Sequence, residues 1–186
     1  MKNIFFLKKL VIFYGLFLLI ISNVYSQGVE RWDIKTLNDS LSVKIEFKNI
    51  IYSNVKDLNL IQRPYNIKNN TSRLSFEFNV FLIKCKVLEY LKQDDGDYHL
   101  IVSDIKNPEF KMIVEIIMPK YGNKIYYKEF KHVRDFFNKL KRKRKIINYN
   151  FEITGVGFFD LIHNQKGKAL NYLELHPVLS IKQIPD

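Results

Sequence analysis

The stretch NKIYYKEFKHVRDFFNKLKRKRK, residues 123–145, decides the fold, because here the apolar period changes from that of a strand to that of a helix. Tyr126, Phe130, Val133, Phe137 and Leu140 recur at helical spacing and form one stripe of an amphipathic helix. Asn123 can cap its start. Lys139, Lys141, Arg142, Lys143, Arg144 and Lys145 crowd its C-terminal end, where positive charge complements the helix dipole. His132 falls off the stripe and is expected in solvent.

Upstream, three segments read as strands. From Leu74 onward, Phe76, Phe78, Val80 and Leu82 fall on one face, and Phe81, Ile83, Cys85 and Val87 on the other. Such a strand is covered twice or bends. Gln93-Asp94-Asp95-Gly96-Asp97 is a turn, in which Gly supplies positive φ and Asp bonds its own backbone. Tyr98 to Asp104 is the second strand, Lys106-Asn107-Pro108 the next turn, and Met112 to Met118 the third strand, stopped by Pro119. Downstream, Ile146 to Phe159 is a fourth strand, Asn164-Gln165-Lys166-Gly167 a loop, and Leu173 to Ile184 a fifth strand. A β-β-β-α-β-β order predicts a mainly β protein, an OB-like β-barrel of five strands with one amphipathic helix between the third and fourth. An α+β sandwich with the same elements paired differently is the alternative. Gly155-Val156-Gly157 lies inside the fourth strand and reads as a bulge or barrel bend, not a phosphate loop.

Residues 27–73 are more weakly patterned and read as an N-terminal extension packed on a barrel domain of residues 74–186. Asn38-Asp39-Ser40 can cap a turn, Val43 to Phe47 alternates like a short strand, and Gln62-Arg63-Pro64 and Lys68-Asn69-Asn70 read as loop. Residues 1–26 have the form of a signal peptide: Lys2, Lys8 and Lys9, then an apolar run from Leu10 to Ile21, then a permissive cleavage site after Ser26. An uncut anchor is the competing reading, but a span needs about 20 apolar residues, reached here only by counting Lys8 and Lys9. No cysteine follows the cut, so no lipid anchor is expected there. The expected product is secreted or periplasmic, with no membrane span after cleavage.

The whole chain of 186 residues carries 30 basic and 19 acidic side chains, a net charge of +11. Without the three signal lysines the excess is +8. That excess favours anionic partners, an envelope component or an extracellular polymer, with Lys139, Lys141, Arg142, Lys143, Arg144 and Lys145 as the contact surface. The competing reading is a solvated basic surface. One cysteine, Cys85, excludes an intrachain disulfide and a cysteine-rich zinc site. It lies mid-strand without a neighbouring histidine, and no Gly-x-Ser-x-Gly elbow is present, so nucleophilic hydrolysis is a poor fit.

Several segments resemble a family of small secreted bacterial proteins: Asp95 to Ile101 (DGDYHLI), Met112 to Ile116 (MIVEI), Thr154 to Asp160 (TGVGFFD), His163, Gln165, Gly167, and Glu174 to Val178 (ELHPV). The resemblance spans roughly Leu74 to Ile184. It implies an exported single domain and supplies no activity. Lys168 to Tyr172 stands where that family more often has a Pro-Asn-Gly-type turn.

The polar residues that could carry chemistry are Asp95, Asp97, His99, Asp160, His163, Gln165, Glu174 and His176. Glu174 and His176 share a strand face. In an OB barrel the loop between strands one and two and the loop between strands four and five flank the usual binding face, so these distant residues can meet on one rim. His99, His163, Glu174 and His176 are the candidate ligands for a divalent cation. The competing reading is structural, with the Asp residues shaping a turn and the imidazoles hydrogen-bonded inside the barrel. The acidic residues of loop 93–97 would repel nucleic acid from that face and favour a cation or a neutral sugar. Two functions follow: an OB-like binding module for an envelope or extracellular component, or a divalent-metal-dependent hydrolase of phosphodiesters.

Overall fold

In a computed structural model, residues 31–185 are described; the expected export signal over residues 1–26 lies outside them. The barrel is built from β2 (Val80–Lys92), β3 (Tyr98–Asp104), β4 (Lys111–Ile116), β5 (Asn150–Phe159) and β6 (Leu173–Ile184). Hydrogen-bonded neighbours run β2-β3-β4-β6-β5, and β5 pairs back onto β2 to close the cylinder. The β4–β6 pair is parallel and the other barrel pairs are antiparallel. This is the expected OB-like connectivity, and it leaves no barrel edge open. The 13-residue β2 serves two neighbours by bending: its first part pairs with β5, its last part with β3, and the register shifts between Val87 and Glu89.

The helix α3 (Tyr127–Arg142) plugs one end. Its stripe residues Phe130, Val133, Phe137 and Leu140 are buried. Asn123 caps the short 3-10 turn that leads into it, accepting from the Ile125 N–H at 3.0 Å. Gly96, at φ 92, makes the β2–β3 turn, as its position demanded. Gly155 sits where the β5–β6 register shifts, and a Cβ there would stand 2.9 Å from the Leu175 Cβ and 3.1 Å from the Pro177 carbonyl. Only glycine lets the two strands approach so closely at this bend.

Four boundaries differ from expectation. Val43 to Phe47 is not a strand: Ser42–Lys44 is a 3-10 turn, and Val43 is 70% exposed with no sheet to pair with. The strand of this region is β1 (Ile50–Ser53), which adds in parallel to the start of β2. β2 begins at Val80 rather than Leu74, because Ser75–Phe78 is another 3-10 turn, closed by Glu77 accepting from the Leu74 N–H. β5 starts at Asn150 rather than Ile146, since the chain first leaves α3 through residues Arg144 and Asn148, both at positive φ. β4 ends at Ile116, two residues before Met118.

Two short helices of the extension, α1 (Trp32–Lys35) and α2 (Val55–Asn59), lie on the barrel. Val55 and Leu58 of α2 are buried in the main core. The Asn171 side-chain amide donates to the Leu58 and Ile61 carbonyls, and Arg63 donates to the Asp160 and Asn171 carbonyls, so the extension holds both ends of the β5–β6 loop. Asp104 ties α2 to the β3–β4 turn by accepting from the N–H groups of Lys56, Lys106 and Asn107 at 3.2, 2.9 and 2.9 Å. Burial raises its pKa, but these bonds outweigh it and hold the carboxyl below its ordinary value. Asp104→Ala is expected to cost about 1–3 kcal/mol in urea denaturation at neutral pH. The contribution of this carboxylate is complete above the unfolded value near pH 4 and fades as pH falls through the lower folded value, so wild type and variant should converge in acid.

Candidate functional site

Adjacent strands set a row of polar side chains across the outer face of the barrel. His99 on β3 is the register partner of Glu115 on β4. In the parallel β4–β6 pair Ile113 faces Glu174 and Val114 faces Leu175, so the same register sets Glu115 beside His176. The intervening residues Leu100, Val114 and Leu175 point the other way, into the core. The polar row is nonetheless buried, because α1 and the two loops cover it: His99, Glu174 and His176 are each 2% exposed.

Glu115 bridges two imidazoles. Its Oε1 lies 3.0 Å from His99 Nδ1 and its Oε2 lies 3.4 Å from His176 Nδ1. Glu174 Oε2 is 3.8 Å from the same His176 nitrogen. Neither ring nitrogen of His176 has a hydrogen-bond partner among the described residues. Burial drives its pKa down to about 4, against the pull of Glu115, so the ring is neutral at pH 7. Burial opposes ionisation of Glu115, but His176, the His99 hydrogen bond and Lys35 together hold its pKa below the ordinary value. Asp97 has the opposite fate. Burial and the neighbouring Asp95 push it up to about 8, although its Oδ1 accepts from the Met118 N–H and Arg134 is near.

Above this floor opens a pocket of about 300 Å³. Gln93, Asp94 and Asp95 line it from the β2–β3 loop, and Asp160, His163 and Gln165 from the β5–β6 loop. His99, Glu115 and His176 form the base, and Trp32 and Lys35 of α1 close one side. The two loop tips therefore share one rim. Lys35 reaches Asp160 at 3.4 Å, and its ammonium stands 5.4 Å from the centre of the Phe158 ring. The lining carries four carboxylates, Asp94, Asp95, Glu115 and Asp160, against one ammonium.

The sequence-expected residues divide. Asp95, His99, Asp160, His163, Gln165 and His176 line the pocket, and Glu174 supports its base. Asp95 also shapes the turn, accepting from the Asp97 N–H at 2.9 Å. Asp97 lies beneath, where one ligand atom each from Asp97, Glu115 and His176 fall within 4.8 Å of one another. His163 stays apart from that group: its side chain is 42% exposed, and its Nδ1 is 2.9 Å from the Leu161 carbonyl oxygen. Sequence reasoning missed Glu115, Lys35 and Trp32, and placed Gln93 and Asp94 in the turn without naming them as site residues. Glu115 had a signal, a lone carboxylate in the apolar run Met112 to Met118. A charge at a doubly covered strand position needs a buried partner. Lys35 and Trp32 had none, because their role depends on where the extension folds back.

The basic residues at the end of α3 form a separate surface. Lys139, Arg142, Lys143, Arg144 and Lys145 are exposed. Lys141 is half-buried and donates to the Tyr98 hydroxyl at 2.7 Å. Tyr98 and His99 are successive residues of β3 and face opposite sides, so the basic end and the acidic pocket lie on opposite faces of that strand. No protein-family model, curated protein or solved structure matches this chain.

Proposed function

We propose that the chain is an exported OB-like binding module whose rim pocket takes a neutral polar ligand, a sugar unit of an envelope or extracellular glycan. The observation that carries this reading is the meeting of the β2–β3 and β5–β6 loops over one polar pocket. These loops flank the binding face on which OB folds take oligosaccharides and oligonucleotides. The lining favours the former. Four carboxylates against one ammonium repel a phosphate backbone, whereas Gln93, Gln165, Asp94 and His163 offer planar donors and acceptors to hydroxyl groups. The basic end of α3 keeps the module at an anionic surface without entering the pocket.

Isothermal titration of the mature chain against neutral and acidic oligosaccharides tests the pocket. A neutral sugar should bind, and the double variant Asp94→Ala, Gln165→Ala should weaken it at least about tenfold, a loss of ~1.4 kcal/mol. Binding of acidic sugars alone, or no binding up to about 1 mM, would overturn the reading. Independently, serine at Lys141, Arg142, Lys143 and Arg144 should lower the salt needed to elute the protein from a sulfated-polysaccharide resin, leaving neutral-sugar binding unchanged. Unaltered elution would remove the electrostatic half of the proposal.

A further inference from the structure

The buried cluster beneath the pocket is crowded with carboxyl groups. Near one another stand the carboxyl groups of Asp97, Glu115, Glu174 and Asp160, with Lys35, Arg63 and Arg134 among the cations that act on them. The imidazole of His176 is 2% exposed, lacks a hydrogen-bond partner at either nitrogen among the described residues, and turns Nδ1 toward Glu115. The Asp97 Oδ2 is likewise buried without a hydrogen-bond partner among the described residues. Buried polar atoms in a native fold are ordinarily satisfied, so unpartnered polar atoms converging from the β2–β3 turn and from β6 beside Glu115 of β4 call for a further partner, a water or a cation.

We propose that Asp97, Glu115 and His176 form a binding site for a divalent transition metal, Zn²⁺ foremost, at the base of the rim pocket. One imidazole nitrogen and two carboxylate oxygens suit a borderline ion better than a hard one. The spacing fits. A tetrahedral centre with bonds of about 2.1 Å sets its ligands about 3.4 Å apart, and the His176 Nδ1 to Glu115 Oε2 separation is 3.4 Å. All three ligand atoms lie within 4.8 Å of one another, so closing the set takes side-chain adjustments and no rearrangement of strands. His99 is a positioning residue: its bond at 3.0 Å to Glu115 Oε1 turns Oε2 toward the metal. Glu174, 3.8 Å from His176 Nδ1, adds negative charge without being required as a ligand. Three protein ligands leave a position of a four-coordinate ion open, and Glu115 and His176 both line the pocket. The open position then faces the sugar hydroxyls, and in this respect the inference rests on the pocket reading above.

The test uses the mature chain stripped with EDTA and titrated with ZnCl₂, followed by desalting and metal analysis. About one equivalent of zinc should be retained, with a raised Tm. Glu115→Gln and His176→Gln should each weaken zinc binding at least 100-fold, while His163→Ala leaves it unchanged. Because a core variant can fail to fold, the wild-type chain is also followed by ¹⁵N histidine NMR. The His176 ring signals should shift on zinc addition. Retention below a tenth of an equivalent, or shifts confined to the exposed His132 and His163, overturns the site. Sugar binding measured with zinc and with EDTA separates the two proposals. Retained zinc without sugar binding sinks the pocket reading alone, and sugar binding without retained zinc sinks the metal site alone.

Discussion

Glu77→Ala is expected to destabilise the protein by about 3–5 kcal/mol, because it strands a buried guanidinium. Arg31 donates to the two oxygens of Glu77 at 2.7 and 2.6 Å, and both side chains are fully buried. Glu77 also accepts from the N–H groups of Leu74 and Phe159, at 2.8 and 3.0 Å. Arg31 spends its remaining donors on the Thr71, Ser72 and Phe159 carbonyls, and its guanidinium stacks 5.0 Å from the centre of the Phe158 ring. The alanine variant thus leaves one charge uncompensated and two backbone donors unpaired. Against a typical total stability of about 5–15 kcal/mol, that loss shifts a denaturant midpoint far to the left. Glu77→Gln fills the same space but can accept only at its one remaining oxygen, so it keeps at most two of the four hydrogen bonds and still leaves Arg31 uncompensated; its cost should stay close to that of Glu77→Ala. The double change Arg31→Met, Glu77→Leu should cost less than Glu77→Ala, since no buried charge is left behind. Urea denaturation followed by circular dichroism gives all three. A cost below about 1 kcal/mol for Glu77→Ala would mean that water reaches Arg31, contrary to the packing described.

The same pair shows why the extension was hard to read. Its partners are 46 residues apart in sequence; Arg31 lies in no periodic segment, and Glu77 sits in an alternating stretch that read as strand and is a 3-10 turn. β1 is similarly silent: a four-residue edge strand with Ile51 and Tyr52 exposed has little pattern until β2 is beside it. The barrel was far more legible. Tyr98 to Asp104 and Leu173 to Ile184 are strands with the limits their residues predict, and the helical stripe from Phe130 to Leu140 is buried as its spacing requires. Long periodic segments report a face that is buried whatever its partner, whereas short ones report only the partner they happen to meet. The site follows the same division. Asp95, His99, His163 and Gln165 could be placed on one rim because barrel closure brings the two hairpin loops together. Asp97, one step from the rim, was legible as a turn residue, but its position under Glu115 is set by β3–β4 register, which the hydrophobic pattern does not reveal.

Phe137→Ala should be comparably severe, about 3–5 kcal/mol, by opening a cavity at the plugged end of the barrel. Phe137 is fully buried, with ring centroids 4.7 Å from Tyr98 and 5.5 Å from Tyr90, the latter edge-on at 89°. Neighbouring Phe136 is only partly buried and serves as the control, for which a smaller loss is expected. The local consequence distinguishes the plug from generic core loss. Tyr98 is held between Phe137 and Arg134, whose guanidinium lies 3.8 Å from the Tyr98 ring centre. Arg134 in turn donates to the Gly96 carbonyl at 2.5 Å and to the Ile116 carbonyl at 2.9 Å, fixing the tip of the β2–β3 hairpin. The β5–β6 loop has separate anchors, Arg63 and the Asn171 contacts with the extension. In native-state hydrogen exchange of Phe137→Ala, amides of residues 96–98 should therefore lose protection beyond the global loss, and those of residues 171–173 should not. Equal loss at both places would show that α3 supports the barrel as a whole and has no particular hold on the half of the rim that carries Asp95.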